Sequence, residues 1–395
     1  MKALEHTHAI RSTLSDPLSL SRAIADAVVS EVPPVDTIAM GLDALASAGP
    51  AASSVVRPLQ EASDALGCVA LALSGGASLG FFHMGVIKAL HDNDALPDLI
   101  SGSSIGAMVA AGIAVRDDDE LDTLFRELHT MRRDGIAFGG WRRLLTQGSL
   151  LCTDQLRGVL EHNIGDWTFA EAHAHTGRTL ALTVSPTRPG MGPRLLTHRN
   201  APDTTVLDTV LASSALPGLF APTPLRVRSG GGPAVPTAER WADGSLRFDI
   251  PRESLVAEHN AGVVVASQTN LHVLPFAAGG RLMRRLGKGG KTARHLLRIP
   301  RRLTERTPIG PSVHHLHDLV AQNYGGDIDI VPRLRPRAVA RVVRNPTLDE
   351  LRAYIEEGER ATLPQLPAIQ RALRIRRTLN EGLIRLSAAS ERAAK

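Results

Sequence analysis

Asp98-Leu99-Ile100-Ser101-Gly102-Ser103-Ser104-Ile105-Gly106 is the stretch that decides the fold. Its first four residues read as a short strand, and Ala107 to Val115 reads as an apolar helix directly behind it. A strand that turns within a few residues into a helix, with a serine at the apex and glycine two residues to either side, has the layout of a nucleophile elbow. The glycines answer a steric demand. So sharp a turn brings neighbouring backbone and the next helix close enough that side chains at 102 and 106 would collide. Ser104 is then exposed at the mouth of a sheet with the N-terminal end of a helix dipole behind it. A plain Gly/Ser connection between strand and helix would use the same letters, so the flanking sequence has to be read with it.

Upstream, the apolar run from Cys68 to Leu73 leads into Ser74-Gly75-Gly76-Ala77-Ser78-Leu79-Gly80 and then a helical pattern over Phe81 to His91. Glycines here permit a tight turn and leave backbone N–H groups unpaired at a helix N-terminus, where they can hold an anion. Three readings stay open: a phosphate cradle, an oxyanion hole, or a structural strand-to-helix turn. Ala77 stands where the dinucleotide fingerprint requires its third glycine, which weakens the first. Downstream, Thr179 to Ser185 and Gly262 to Ser267 read as further strands. Asp118 to Met131, Asp154 to Asn163 and Thr205 to Ala215 have helical periodicity. The alternation predicts an α/β fold with a central, mostly parallel sheet between helices. Residues 226 to 240, with Ser229-Gly230-Gly231-Gly232-Pro233, read as a surface loop.

A serine needs a base to become a nucleophile at neutral pH. Asp243, in Trp241-Ala242-Asp243-Gly244-Ser245, is one candidate, although an Asp-Gly pair by itself is an ordinary turn. The other is a histidine later in the chain, and His259, His272 and His314 are available in that order. His83 and His198 read as structural.

A chain of 395 residues with 43% hydrophobic content can bury one substantial core and carry additions to it. The expected organisation is a helical segment over 1–66, a catalytic domain over 67–275, a basic amphipathic segment over 276–310, and a strand and helices over 311–395 that complete or pack on the domain. The last two helices begin near Thr347 and Pro364. Residues 281 to 306 contain ten Lys or Arg against a single acid, Glu305, interleaved with Leu and Met. That pattern suits an anionic lipid surface or, equally, a solvated basic segment. With three Trp, two Tyr and eight Phe there is little base-stacking material, and no nucleic-acid reader motif is present. The first residues have no apolar core of the kind a secretion signal needs. No apolar run approaches the ~20 residues that span a bilayer. Cys68 and Cys152, the only cysteines, read as reduced core residues, which suits a cytoplasmic protein in peripheral contact with membrane. No zinc-type spacing is seen, and Asp117-Asp118-Asp119-Glu120 reads as the first turn of a helix rather than a calcium loop. No metal and no cofactor are expected.

Taken together, the loop at Gly75 to Gly80, the elbow at Ser104 and the later Asp243-Gly244 resemble the patatin-like phospholipase family in order and spacing. Further similarity lies in Phe81-Phe82-His83-Met84-Gly85-Val86, in Ala212-Ser213-Ser214-Ala215-Leu216-Pro217-Gly218-Leu219-Phe220, and in Asn345-Pro346-Thr347 leading to Gly358-Glu359-Arg360-Ala361-Thr362. These resemble the storage-lipid triacylglycerol lipases of yeast and plants, over roughly residues 68 to 365. The resemblance implies a three-layer patatin-like fold and a Ser–Asp dyad in which Asp243 deprotonates Ser104 and no histidine is essential. It also implies an oxyanion hole made by the loop at Gly75, Gly76, Ala77, Ser78 and Gly80, with Gly102 and Gly106 shaping the elbow and Gly244 the dyad turn. Two departures stand out. Ala77 replaces a glycine, and Ser245 stands where the wider family often has Gly or Ala. The implied activity is hydrolysis of lipid esters, triacylglycerol first and phospholipid or lysophospholipid second, at a membrane or lipid-droplet surface. A catalytically silent lipid-binding protein of the same fold and a nucleotide-binding α/β protein are the competing classes.

Overall fold

The computed structural model describes residues 2–13, 16, 19, 20, 22–24, 35–47, 52–137, 149–188, 190–246, 248–270, 325–333 and 344–393. The basic segment 281–306, His272 and His314 lie outside the described residues. The chain divides into two compact units, one of residues 1–69, 253–263 and 366–395, the other of residues 70–252 and 264–365.

The first unit is mainly helical. Its helices are α1 (Lys2–Ser12), α2 (Val35–Ser47) and α3 (Ala52–Leu66), joined by the last helix of the chain, Leu366–Ala393. Ile10, Ile38, Leu42, Leu59, Ile375 and Leu379 meet in one apolar cluster, each at most 1% exposed. Arg376, between Ile375 and Leu379 on the last helix, is also buried, and its guanidinium donates to the carbonyl oxygens of Leu66 and Gly67, each at 2.8 Å. Those carbonyls end α3 and have no partner within the helix, so a cation there satisfies both the hydrogen bonds and the negative end of the helix dipole.

The second unit is built on most of an eight-stranded sheet flanked by helices. In chain order its elements are β1 (Cys68–Leu73), α4 (Phe82–His91), β2 (Leu99–Gly102), α5 (Ile105–Ala114), α6 (Asp118–Arg126), α7 (Thr153–Asn163) and α8 (Phe169–Thr176). They continue as β3 (Thr179–Pro186), β4 (Arg194–Leu196), α9 (Val206–Ser213), β5 (Thr223–Val227) and β6 (Val235–Asp243). After α10 (Arg252–His259), which belongs largely to the helical unit, come β7 (Ala261–Ser267), β8 (Ile328–Ile330) and α11 (Leu348–Thr362). The helix Leu366–Ala393 is α12. The sheet order is β5-β6-β3-β2-β1-β7-β8, with β4 beside β3. β1, β2 and β3 run parallel, as do β7 and β8, while β4, β5 and β6 are antiparallel to their neighbours. β1 and β2 are almost wholly buried, as an apolar run without alternation requires of a parallel strand covered on both faces.

The stretch 226–240 is not a loop. β5 and β6 form an antiparallel hairpin, and only residues 228–234 connect them, turning through Gly230 and Gly231 at φ 61° and 75°. Val235, Pro236, Ala238 and Arg240 are exposed: β6 lies between β5 and β3 but pairs with β3 only from Trp241 on, so its outer part carries too little apolar alternation to announce itself. The helix expected over 118–131 stops at Arg126 and passes into a short 3-10 turn at Leu128–Thr130. Cys68 and Cys152 form no disulfide among the described residues, and both are half-buried.

α4 and α11 approach more closely than side chains would allow. A Cβ on Gly85 would lie 1.9 Å from the Ile355 carbonyl oxygen, and one on Gly358 2.2 Å from that of Phe82. This contact fixes the helix that begins directly after the glycine-rich loop.

Candidate active site

The C-terminal ends of β1 and β2 lie side by side, with Leu73 paired to Gly102. Both chains turn there, so the glycine-rich loop and the serine elbow leave the sheet at one edge, where α/β proteins place their ligands. β6 brings the third element. Gly102 pairs with Leu182 and Asp243 with Val184, two residues further along β3.

At the elbow Ser104 has φ 54° and ψ −122°, a conformation outside the normal range for a residue with a side chain. Such strain costs about 1–3 kcal/mol and is held by its surroundings. Here the Ser104 N–H donates to the Ser213 hydroxyl at 3.0 Å, the Ser103 N–H to the Leu73 carbonyl at 3.1 Å, and the Thr183 hydroxyl to that of Ser103 at 2.9 Å. The two elbow glycines admit the crossing. A Cβ on Gly102 would stand 2.3 Å from the Gly106 carbonyl oxygen, and one on Gly106 2.2 Å from that of Leu73.

Asp243 ends β6 and is 1% exposed. Burial pushes its carboxyl up to about 6, opposed by hydrogen bonds from Ser245 and from the Ser104 hydroxyl. Its Oδ1 accepts the Ser245 N–H at 2.8 Å. Gly244 follows because a Cβ there would lie 2.5 Å from the Thr183 carbonyl oxygen. The serine and the aspartate are thus brought together.

In the glycine-rich loop Gly76 has φ 154° and Ala77 φ 46°. Among the described residues neither of their N–H groups has a hydrogen-bond partner. Ala77 opens the 3-10 turn Ala77–Phe81, so both donors stand at a helical N-terminus. Gly75 lies close to the elbow, its Cβ position 3.4 Å from that of Ser104, but its own N–H is taken by the Asp249 carboxylate at 2.8 Å. The Ser78 hydroxyl donates to the Arg344 carbonyl, and Gly80 is packed against Ile105.

The sequence did not single out Asp249, which is fully buried. Its second oxygen accepts from the Asn270 amide at 2.5 Å. Burial, with a smaller push from the nearby charge of Asp243, takes its carboxyl up to about 7 against its hydrogen bonds from Gly75, Asn270 and Gln268. An acid six residues after Asp243 and two before Pro251 was the only signal, and it does not distinguish a buried group from a solvated turn. Ser213 also went unread as a site residue, although its segment carried part of the family resemblance.

His83 sits under the loop, wholly buried, with one ring nitrogen 2.9 Å from the Ser74 carbonyl oxygen and the other 2.7 Å from the Ser267 hydroxyl. Desolvation takes its pKa down to about 4, so it is neutral and ties the loop to β7. His198 stacks on His173 with ring centres 3.8 Å apart. His259 ends α10 in the helical unit. Asp117 and Glu120 form a reciprocal cap at the start of α6, as their sequence implied. With His175 they are the one described group close enough to share a metal, but all three are exposed and Glu120 already bonds both partners.

A cavity of about 480 Å³ reaches Ser104 and Asp243 and is otherwise walled mainly by apolar side chains. A strained serine, a buried carboxylate facing its hydroxyl, two N–H groups without a partner among the described residues and an apolar chamber lie in one place. Residues 71–256 match the family model for patatin-like phospholipase. The chain carries a patatin-like phospholipase domain. It is 31% identical over 368 residues to a triacylglycerol lipase of Arabidopsis thaliana, covering 85% of this chain and 45% of the relative. It is 32% identical over 355 residues to a patatin-like phospholipase domain-containing protein of Coccidioides immitis, covering 81% and 47%. The chain therefore spans under half the length of these curated relatives. Among solved structures, VipD from Legionella pneumophila aligns with a TM-score of 0.39 at 15% identity, covering 76% of this chain and 67% of that one. No described helix is long and apolar enough to cross a membrane.

Proposed function

We propose that this patatin-like domain is a serine acyl hydrolase of lipid esters, with triacylglycerol as its first substrate class and Ser104 and Asp243 as its catalytic pair. The observation that carries the proposal is the Asp243 carboxylate, buried and facing the hydroxyl of a serine held at positive φ. A carboxyl pushed up to about 6 is mostly ionised at neutral pH yet basic enough to take a proton. Ser104 Oγ attacks the ester carbonyl while its proton passes to Asp243. The oxyanion forms against the free N–H groups of Gly76 and Ala77, donors fixed before the charge develops. Collapse breaks the ester bond, and the leaving alcohol takes the proton from Asp243. Water then adds to the acyl-enzyme, gives its proton to Asp243, and the second collapse returns a proton to Ser104 with release of the fatty acid.

Triacylglycerol is favoured over phospholipid by the similarity to a triacylglycerol lipase; the apolar chamber suits the acyl chain that both lipids share. The basic stretch 281–306, outside the described residues, suits contact with an anionic membrane or lipid-droplet surface by its interleaved Arg, Leu and Met alone. The test is hydrolysis of a nitrophenyl ester, and of triacylglycerol emulsions and phosphatidylcholine vesicles with matched decanoyl or oleoyl chains, by the wild type, Ser104→Ala and Asp243→Asn. Each substitution is expected to lower kcat by about 10³-fold or more, in the range of a lost nucleophile or base, with folding intact by circular dichroism. A fully active Ser104→Ala protein would falsify the proposal. Turnover of phosphatidylcholine but not of a triacylglycerol with the same acyl chains would move the substrate class.

A further inference from the structure

The cavity runs along α5 and does not merely touch the serine. Ile105, Met108, Val109, Gly112 and Ile113 recur at one-face helical spacing along its wall. Leu156, Val159 and Leu160 of α7 line it as well. At about 1.5 Å of rise per residue, Gly112 lies about 12 Å along the helix from Ser104. There the lining changes character. Arg116 folds back so that one guanidinium nitrogen donates to the Gly112 carbonyl at 2.5 Å and another to the Asn163 carbonyl at 2.7 Å. The guanidinium is therefore a bar tying the last turn of α5 to the end of α7. A Cβ on Gly112 would meet only this group, at 3.8 Å, and otherwise open space. Thr130, Arg132 and His162 also line the cavity and gather at this same polar end, where the Arg132 N–H donates to Asn163 Oδ1 at 3.0 Å and His162 Nε2 lies 3.1 Å from the Thr130 carbonyl oxygen.

We propose that this cavity is an acyl-chain site of fixed depth, in which Arg116 is the floor and Gly112 keeps the last segment open. The proposal rests on the acyl-hydrolase reading above and deepens it by naming the chain length the site takes. Carbon–carbon bonds of about 1.5 Å advance roughly 1.25 Å per methylene along an extended chain, so a 12 Å channel holds about ten carbons. A longer chain meets a charged group whose hydrogen bonds are already made. Each methylene kept out of an apolar site lowers affinity about fourfold, the equivalent of about 0.8 kcal/mol.

The experiment measures binding of hexanoate, octanoate, decanoate, tetradecanoate and hexadecanoate by displacement of a fluorescent fatty acid, alongside hydrolysis of the matching nitrophenyl esters. In the wild type, affinity is expected to rise to decanoate and then level or fall. Gly112→Leu fills the space of about three methylenes and lowers decanoate affinity by roughly 50-fold while leaving hexanoate within about twofold, so its optimum shortens. Arg116→Ala moves the optimum to tetradecanoate or longer. Should Arg116→Ala fail to fold, Gly112→Leu decides alone. Unshifted length profiles with normal ester hydrolysis overturn the gauge and leave the hydrolase reading standing. Shifted binding profiles in a protein that hydrolyses no ester sink the hydrolase reading and keep the gauge.

Discussion

Asp243 and Asp249 are two buried carboxylates six residues apart, both pushed upward by burial, and they face opposite kinds of partner. Asp243 looks at a hydroxyl that can give up a proton. Asp249 looks at the Gly75 backbone N–H and the Asn270 amide, neither of which can at any working pH. Low dielectric raises both, so a perturbed carboxyl alone does not mark the base. What separates them is whether the donor opposite is a nucleophile or part of the scaffold. In our reading the first acid takes the proton of Ser104 and the second holds the loop that receives the oxyanion formed when Ser104 attacks.

That division predicts opposite responses to the same pair of substitutions. Asp243→Asn removes a base and no buried hydrogen-bond acceptor that Ser245 needs, so activity goes and stability stays or rises. Asp249→Ala strands the Gly75 N–H and the Asn270 amide in a dry site, which costs about 1–3 kcal/mol for each unsatisfied group and a loss in kcat of about 10² as the loop loosens. Asp249→Asn keeps an acceptor for Gly75 and is expected to recover most of that kcat. Thermal unfolding and kcat measured on the three variants check it. If Asp249→Asn is as inactive as Asp243→Asn while still folded, the second acid is chemical after all and the distinction collapses.

The pH dependence sharpens the comparison with a smaller effect. With Asp243 as the base, activity requires it ionised and is expected to rise through about pH 6. Stability moves the other way. Between the ordinary carboxyl value near 4 and the folded values of about 6 and 7, the folded protein binds more protons than the unfolded chain, so its stability is present at the acid end and is lost as pH rises through that window. For Asp243 the raise of about two pKa units corresponds to about 3 kcal/mol. Tm followed from pH 4.5 to 8 is expected to fall in the wild type, and to fall less in Asp243→Asn and in Asp249→Asn. Equal slopes in all three proteins would mean that the two carboxyls carry little of the linkage.

The sequence made one of these acids legible and hid the other for a physical reason. Asp243 is followed by a glycine that the turn over Thr183 demands, and the elbow and loop glycines make comparable steric statements, so the reacting residues sit inside patterns that backbone crowding forces. Asp249 obeys no such constraint: any residue could precede Ile250 and Pro251, and its burial depends on Asn270, reached only after β7. The same holds for the fold. β1 and β2 are continuous apolar runs that have few other uses, whereas β6 hides its pairing behind Pro236 and exposed alternate residues, and its inner end is apolar only at Trp241 and Ala242. The cavity was invisible because its walls come from α5 and α7, whose apolar faces look in sequence like ordinary core.

Ser213 tests where the line between reacting and holding falls, and it carries the smallest effect. Its hydroxyl accepts the Ser104 N–H, and it belongs to α9, every residue of which is buried. The bond does not touch the reacting atoms. It offsets part of the strain at φ 54°, so removing it lets the elbow relax rather than stopping the chemistry. Ser213→Ala leaves a backbone donor unpaired, which costs about 1 kcal/mol or slightly more, and is expected to lower kcat by about three- to tenfold with KM nearly unchanged. Ser213→Thr, which restores an acceptor, should recover part of kcat if the added methyl fits. A drop confined to KM would place Ser213 in substrate binding, and a loss as deep as that of Ser104→Ala would mean that the elbow's strain is sustained by this single bond.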